Sequence, residues 1–342
     1  MSSPTSKDDI RVVVSIDFGT TFSGYAYAHK FNPNEITVED QWEGLVSFKV
    51  PTIIKYEDKS CSSIKSWGPS ALAKRRNTDQ SKPIELFKLY LLNEPSMKLP
   101  PLPVDYKKVI TDYLKQLSKM IRENVNNTWV DLDFYSQVLI VLTIPTEYAD
   151  DEIEIMRDCA YKAGLMKEKN SRFLIFITEP EAAAVNCLNA SDEVKNLKPG
   201  ELFMIVDCGG DLEDYFTKYP STLRDIVKEG KEKKLLEESE WMITLQLDDV
   251  KEIYDVVAVL KGGVQFGLEV ETVAKRVLKR TYGTNVVRRS QLNDPQSEML
   301  PNGNTIVFEP LASRGDVISV NDKVVQQFRL SSLTKRVNFN IS

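Results

Sequence analysis

Twice in this chain an apolar, β-branched run ends on an aspartate and then on glycine. Arg11 to Ile16 leads into Asp17-Phe18-Gly19-Thr20-Thr21, and Leu202 to Val206 leads into Asp207-Cys208-Gly209-Gly210. A Val/Ile run closed by turn residues reads as a buried strand. A carboxylate at such a strand end stands at the rim of a sheet, and the glycine beside it lets a bound anion approach the backbone. An ordinary hairpin turn uses the same residues, so the first turn alone does not choose between the two readings. The repeat shifts the weight. Two halves that open alike predict an internal duplication with a cleft between them. Two such turns across a cleft can clamp a phosphate chain, with a divalent cation held directly or through water.

Composition narrows the field. A length of 342 residues gives a prior of about two domains. The net charge of −6 argues against a strongly basic nucleic-acid binder. With 42% hydrophobic and 27% charged residues, the chain falls among ordinary globular proteins. Its single histidine, His29, removes multi-His metal sites and most His-based catalysis. Cys61, Cys159, Cys187 and Cys208 form no CxxC pair and read as buried thiols in a reducing compartment. Met1 to Ile10 is polar, without the apolar core of a signal peptide, and no apolar run reaches the ~18 residues of a membrane span. The expectation is a cytoplasmic or nucleocytoplasmic protein without nucleic-acid or membrane partners.

Residues 1–10 are expected to be a disordered tail. The first turn should join a strand over 11–16 to a second over 24–29, with a third over 51–56. Residues 57–83 read as polar loop. Val104 to Val125 predicts a helix, because Tyr106, Val109, Ile110, Tyr113, Leu114, Leu117, Met120 and Ile121 recur at spacings of three and four. Gln137 to Ile144 is a near-continuous apolar run, the mark of a strand buried on both faces. Glu152 to Ala163 reads as a helix capped by Gly164, and Arg172 to Ile177 as another buried strand. Glu179-Pro180-Glu181 opens a further helix, with proline and carboxylates in its first turn. Beyond Gly200, residues 211–240 read as charged helix and Trp241 to Leu247 as strand. A helix is expected over Gly262 to Lys279, starting after Gly262-Gly263. Short strands follow at 305–308 and 317–320. The sum is a mixed sheet with helices on its faces.

Several of these segments carry a resemblance. "IDFGTTFSGYAY" resembles the first phosphate motif of the 70-kDa heat-shock chaperone family. "VLIVLTIPTEYADDEIEIMRDCAYKAGL" and "FLIFITEPEAAAV" resemble its strand, helix and interlobe connection, and "MIVDCGG" resembles the start of its second phosphate motif. The match is to the divergent heat shock 70 kDa protein 12-like branch and covers about residues 10–330, more specifically in the first half. The resemblance implies an α/β fold of the actin/hexokinase type, a two-lobed ATPase with ribonuclease-H-like mixed sheets. The lobes would span 11–195 and 196–342. It also implies ATP and Mg²⁺ as cofactors. Asp17 and Asp207 would serve the metal; Gly19, Thr20, Thr21, Gly209 and Gly210 would bind phosphate; Glu179 would orient the attacking water or metal shell. Lys88, in "ELFKLYL", occupies the place of the catalytic lysine, though a solvated surface lysine reads the same. Glu179 in turn could be no more than a helix N-terminal carboxylate.

The second half departs from the family pattern. After Gly210 the expected Gly-Thr-x-Asp is replaced by Asp211-Leu212-Glu213-Asp214. Asp255 runs straight into Val256-Val257-Ala258-Val259-Leu260-Lys261, where an adenosine-binding Gly-Gly-x-Ser/Ala motif should intervene. Gly262-Gly263 either mimics that motif or lies in the segment that follows it. These joins predict an incomplete second lobe. The implied function is a heat-shock-70-like nucleotide-binding protein with weak ATP hydrolysis. The alternative is a non-catalytic remnant acting through protein contacts, and no client or co-chaperone can be named.

Overall fold

The computed structural model describes residues 9–72 except 44 and 59, then 82–92, 99, 101–190, 257–269, 275–278, 280–291, 294–296 and 299–319. The chain divides into two compact units, Met1–Glu269 and Val270–Ser342.

The first unit is built on β1 (Val12–Phe18) and β2 (Phe22–His29), joined by the glycine-containing turn. Around them lie β3 (Thr37–Val38), β4 (Gln41–Trp42), β5 (Leu45–Val46), β6 (Val50–Pro51), β7 (Ile54–Tyr56) and β8 (Ile64–Trp67). Further along come β9 (Val138–Ile144) and β10 (Leu174–Thr178). The main sheet has the order β10-β9-β1-β2-β3, with β6 also paired to β2. β1 runs antiparallel to β2 and parallel to β9, and β10 runs parallel to β9. This is the mixed sheet and α/β architecture that the resemblance implies. All residues of β1 and β9 are buried, as near-continuous Val, Ile and Leu runs require when both faces of a sheet are covered.

One face is covered by α2 (Tyr106–Thr128). Asp105 caps it, its side chain accepting from the Lys107 N–H at 3.0 Å. Its periodic residues Val109, Ile110, Tyr113, Leu114, Leu117 and Ile121 are fully buried, in one cluster with Val12, Val14, Ile16 and Phe18. The helical reading of this segment therefore holds, with ends shifted by a few residues. α1 (Pro69–Leu72), a 3₁₀ turn (Phe87–Leu91), α3 (Phe134–Gln137) and α4 (Asp150–Lys162) complete this side. Gly164 follows α4 at φ +78°, in the left-handed region that a helix C-terminus uses. β8 and α1 fall in a stretch expected to be loop. The difference lies in long-range pairing, since β8 is held antiparallel to β7 rather than by a hydrophobic pattern of its own.

α5 (Glu179–Ala190) and α6 (Ala258–Leu268) pack on the other face. Here the structure corrects the sequence expectation. Gly262 and Gly263 lie inside a helix, not at its start, so they form no adenosine-type turn. They serve close packing instead. A Cβ on Gly262 would stand 1.7 Å from the Ala182 carbonyl oxygen, and one on Gly263 would stand 2.0 Å from Ser15 Oγ. The absence of side chains lets α6 lie directly against α5 and β1.

The second unit contains β11 (Lys275–Val277), β12 (Tyr282–Arg289), β13 (Asn304–Ala312) and β14 (Val317–Ser319). β12 and β13 form an antiparallel hairpin, and β11 pairs with β14. The helix expected over 262–279 thus ends at Leu268, and 275–277 is drawn into a ladder with 317–319. The expected strand at 202–206, helix at 211–240 and strand at 241–247 lie outside the described residues, as do the joins at 210/211 and 255/256.

Candidate functional site

Alternation along β1 sets the site. Val12, Val14, Ile16 and Phe18 face α2, while Val13 and Ser15 face α6. Asp17 continues the second row, one step beyond the α6 contact, and is 5% exposed. The register pairs Ser15 with Val141, so Thr143 is the next residue in phase with Asp17. Thr143 Oγ1 donates to Asp17 Oδ1 at 3.0 Å. On the other carboxylate oxygen, Lys49 Nζ stands 2.9 Å from Oδ2. Burial pushes the Asp17 pKa up, but the Lys49 charge and hydrogen bond, the Lys88 charge and the Thr143 hydrogen bond together hold it below its ordinary value.

The turn that follows is compact. A Cβ on Gly19 would lie 2.2 Å from the Phe22 carbonyl oxygen, so glycine is required there. Thr52 fastens both ends of the turn: its Oγ1 donates to the Gly19 carbonyl at 2.9 Å and its N–H to the Thr21 carbonyl at 2.7 Å. Gly19, Thr20 and Thr21 remain half-buried, within reach of solvent beside a buried carboxylate.

Lys88 and Glu179, far apart in sequence, meet here. Lys88 Nζ and Glu179 Oε1 are 2.9 Å apart, with side-chain exposures of 4% and 21%. Lys88 belongs to the 3₁₀ turn and is buried, so it is not a solvated surface lysine. Its ammonium sits 5.6 Å from the Phe18 ring centroid and 5.9 Å from that of Tyr148, distances at which a ring face attracts a cation. Tyr148 is buried, and among the described residues its hydroxyl has no hydrogen-bond partner. Burial and the charges of Glu179, Glu152 and Glu147 push its phenol up. Glu179 opens α5, where a carboxylate also complements the helix dipole.

The structure thus places Asp17, Gly19, Thr20 and Thr21 on one turn and pairs Lys88 with Glu179. Asp207, Gly209 and Gly210 lie outside the described residues. Lys49, Thr143 and Tyr148 were not singled out from the sequence. Thr143 had a faint signal, a single hydroxyl near the end of an apolar run. Lys49 had none, because its role depends on a loop folding back onto β1. As a donor set, one buried carboxylate, two lysines and several hydroxyls suit a polyphosphate with a divalent cation. A separate cavity of about 480 Å³ is lined by Tyr27, His29, Glu35 and Trp129 among others, and it contains none of these residues. Among the described residues, no helix is long and apolar enough to cross a membrane.

Comparison with known proteins agrees with the reading of these segments. The chain is 34% identical to mouse (Mus musculus) heat shock 70 kDa protein 12A over 193 residues, covering 52% of this chain and 28% of that protein. Human (Homo sapiens) heat shock 70 kDa protein 12B is 29% identical over 192 residues, covering 52% of this chain and 28% of that protein. The chain therefore spans under a third of the length of these relatives. No family model matches it. Among solved structures, MreB5 of Spiroplasma citri bound to ADP is 16% identical with a TM-score of 0.31, covering 52% of this chain and 41% of that one. A non-polymerising MamK mutant bound to AMPPNP is 12% identical with a TM-score of 0.31, covering 52% of this chain and 44% of that one.

Proposed function

We propose that the chain binds ATP with Mg²⁺ at the Asp17 turn and hydrolyses it slowly, as a heat-shock-70-like nucleotide-binding protein of the cytoplasm. The observation that carries this reading is the convergence of three separate segments at the end of β1. Lys88, from the 3₁₀ turn, stands over the Phe18 ring, is paired with Glu179 at the start of α5, and its charge acts on the buried Asp17 at the glycine turn.

The roles follow from the chemistry of each group. Gly19, Thr20 and Thr21 would receive the phosphate chain, with hydroxyls and backbone N–H groups as donors. Asp17 would hold Mg²⁺, with Asp207 as the partner the resemblance implies; when bound, that ion would neutralise phosphate charge. Lys88 would place its ammonium where negative charge grows on the transferred phosphoryl group. Its pairing with Glu179 fixes the headgroup beforehand, so little reorganisation is needed. Glu179, the more exposed member of the pair, would orient a water for in-line attack. Positioning and charge stabilisation are all that phosphoryl transfer asks of a protein.

Phosphate release from ATP, measured on the wild-type chain and on Glu179→Gln, tests the proposal. Slow, Mg²⁺-dependent release that the substitution abolishes while ATP binding persists is the expected result. A chain that binds no ATP contradicts the proposal and leaves the reading in which it acts through protein contacts alone.

A further inference from the structure

The cavity that stands apart from the Asp17 turn lies at the other end of β2. That strand leaves the turn at Phe22 and ends at His29, a run of roughly 24 Å at ordinary strand spacing. Alternation puts Tyr27 and His29 on one face of the strand. Trp129, the residue that ends α2, meets both there, with its N–H held by the Val125 carbonyl at 2.9 Å. Its ring centroid is 5.8 Å from that of Tyr27 at an interplanar angle of 82°, and 5.6 Å from that of His29 at 39°. Three π systems from two elements thus line a space of about 480 Å³, within the range of small-molecule sites. Further lining comes from the connection between β2 and β3, and that connection is tied down. The Asn32 N–H donates to the His29 carbonyl at 2.9 Å and the Glu35 N–H to the Asn32 carbonyl at 3.1 Å. Asn32 Nδ2 donates to Glu35 Oε2 at 3.2 Å and so orients the carboxylate.

Charge decides what such a space can hold. Glu35 is the one Asp, Glu, Lys or Arg among the described lining residues, and the neutral amide of Asn32 does not compensate its charge. His29 adds no positive charge. The Phe31 N–H donates to His29 Nδ1 at 3.2 Å, so that nitrogen keeps its lone pair and the ring is neutral. Burial and the Arg11 charge both hold the His29 pKa below its ordinary value. An anion would meet a carboxylate and the negative faces of aromatic rings. A cation with an apolar body suits both parts, since ring faces attract it and bury its alkyl groups while the carboxylate neutralises it. We propose that this cavity binds a small organic cation, an alkylated ammonium group seated against Trp129, Tyr27 and His29 with Glu35 as its counter-charge. The site is independent of the nucleotide reading, because no residue of the Asp17 turn lines it.

Calorimetric titration of the full chain with choline chloride tests it, at matched ionic strength. The comparison probes are the alcohol in which a tert-butyl group replaces the trimethylammonium, and methyl glucoside. Choline saturates the wild-type chain and the two neutral probes do not. Glu35→Gln weakens choline binding by about fivefold, as suits a carboxylate open to water. Trp129→Leu weakens it by about thirtyfold, the scale of a cation desolvated against ring faces. The tert-butyl alcohol binding wild type as well as choline overturns the proposal and makes the cavity a plain apolar pocket. That arm decides even if Trp129→Leu does not fold. Saturation by the glucoside and not by choline overturns it in favour of a sugar platform. No saturation by choline up to about 10 mM, a generous ceiling for a ligand of so few atoms, overturns it, as does unchanged affinity in Glu35→Gln. ATP binding at the Asp17 turn stays the same in Glu35→Gln, so failure of one reading is distinct from failure of the other.

Discussion

β1 and β12 are strands of similar length, yet they live in different surroundings. Every residue of β1 is buried. β12 alternates, and its hairpin leaves Val287 61%, Ile306 39% and Phe308 40% exposed. The contrast shows what it takes to hold a charged group at a strand end. Asp17 can be desolvated and aimed because α2 covers one face of its sheet and α5 and α6 cover the other. At the end of β12 no such layer is present among the described residues, and the Asp294 carboxylate is held instead by a bidentate pair with Arg288 and by the Gln291 N–H, which pull its pKa down to about 2.

Core truncation should separate the two regions most. Ile16→Ala should cost about 3 kcal/mol in urea unfolding, whereas Val287→Ala should stay within about 0.5 kcal/mol. Similar costs at both sites would break the comparison. The glycines give the next largest contrast. Gly262→Ala forces a methyl against the Ala182 carbonyl and should cost about 3 kcal/mol, the upper range for overpacking. Gly315 lies at φ +93° with open space around its Cβ position, so Gly315→Ala should cost only about 1 kcal/mol of backbone strain. Ion pairs follow. Glu179→Ala strands the buried Lys88 ammonium and should cost roughly 2 kcal/mol, below the full cost of breaking a buried pair because Glu179 is partly exposed. Lys119→Ala, which breaks a well-exposed pair with Glu123, should cost under about 0.5 kcal/mol.

The smallest effect is on pH. The folded-state pKa of Asp17 lies below its ordinary 3.8. Its ion pair therefore contributes fully above that value, and the contribution is lost only as pH falls toward the lowered pKa. Unfolding measured from about pH 5 down to about pH 2 should show this acid-side loss in wild type and not in Asp17→Asn. An identical acid limb in both would remove Asp17 from the account.

The elements most legible in the sequence are those where one periodicity dominates over a long stretch. The helix carrying Val109, Tyr113 and Leu117 and the strand Val138–Ile144 needed nothing but their own pattern. Asp17 was legible for the same reason, since a long apolar run delivers it to a turn whose glycine has no room for a Cβ. Lys88 and Glu179 could be named only through family resemblance; that they touch is a tertiary fact. Lys49 and Thr143 were not legible as site residues, because strand register and a returning loop bring them to Asp17. Gly262-Gly263 misled because a glycine pair after an apolar run signals a turn as readily as a close helix contact. Only the partner surface, Ala182 and Ser15, distinguishes them.

The central claim is that the Asp17 turn is a nucleotide site, and calorimetric titration of ATP with Mg²⁺ into wild type and Asp17→Asn tests it most directly. The account predicts saturable binding in wild type that disappears in Asp17→Asn while the variant still melts cooperatively. Equal binding by both chains, or binding by neither, would contradict it.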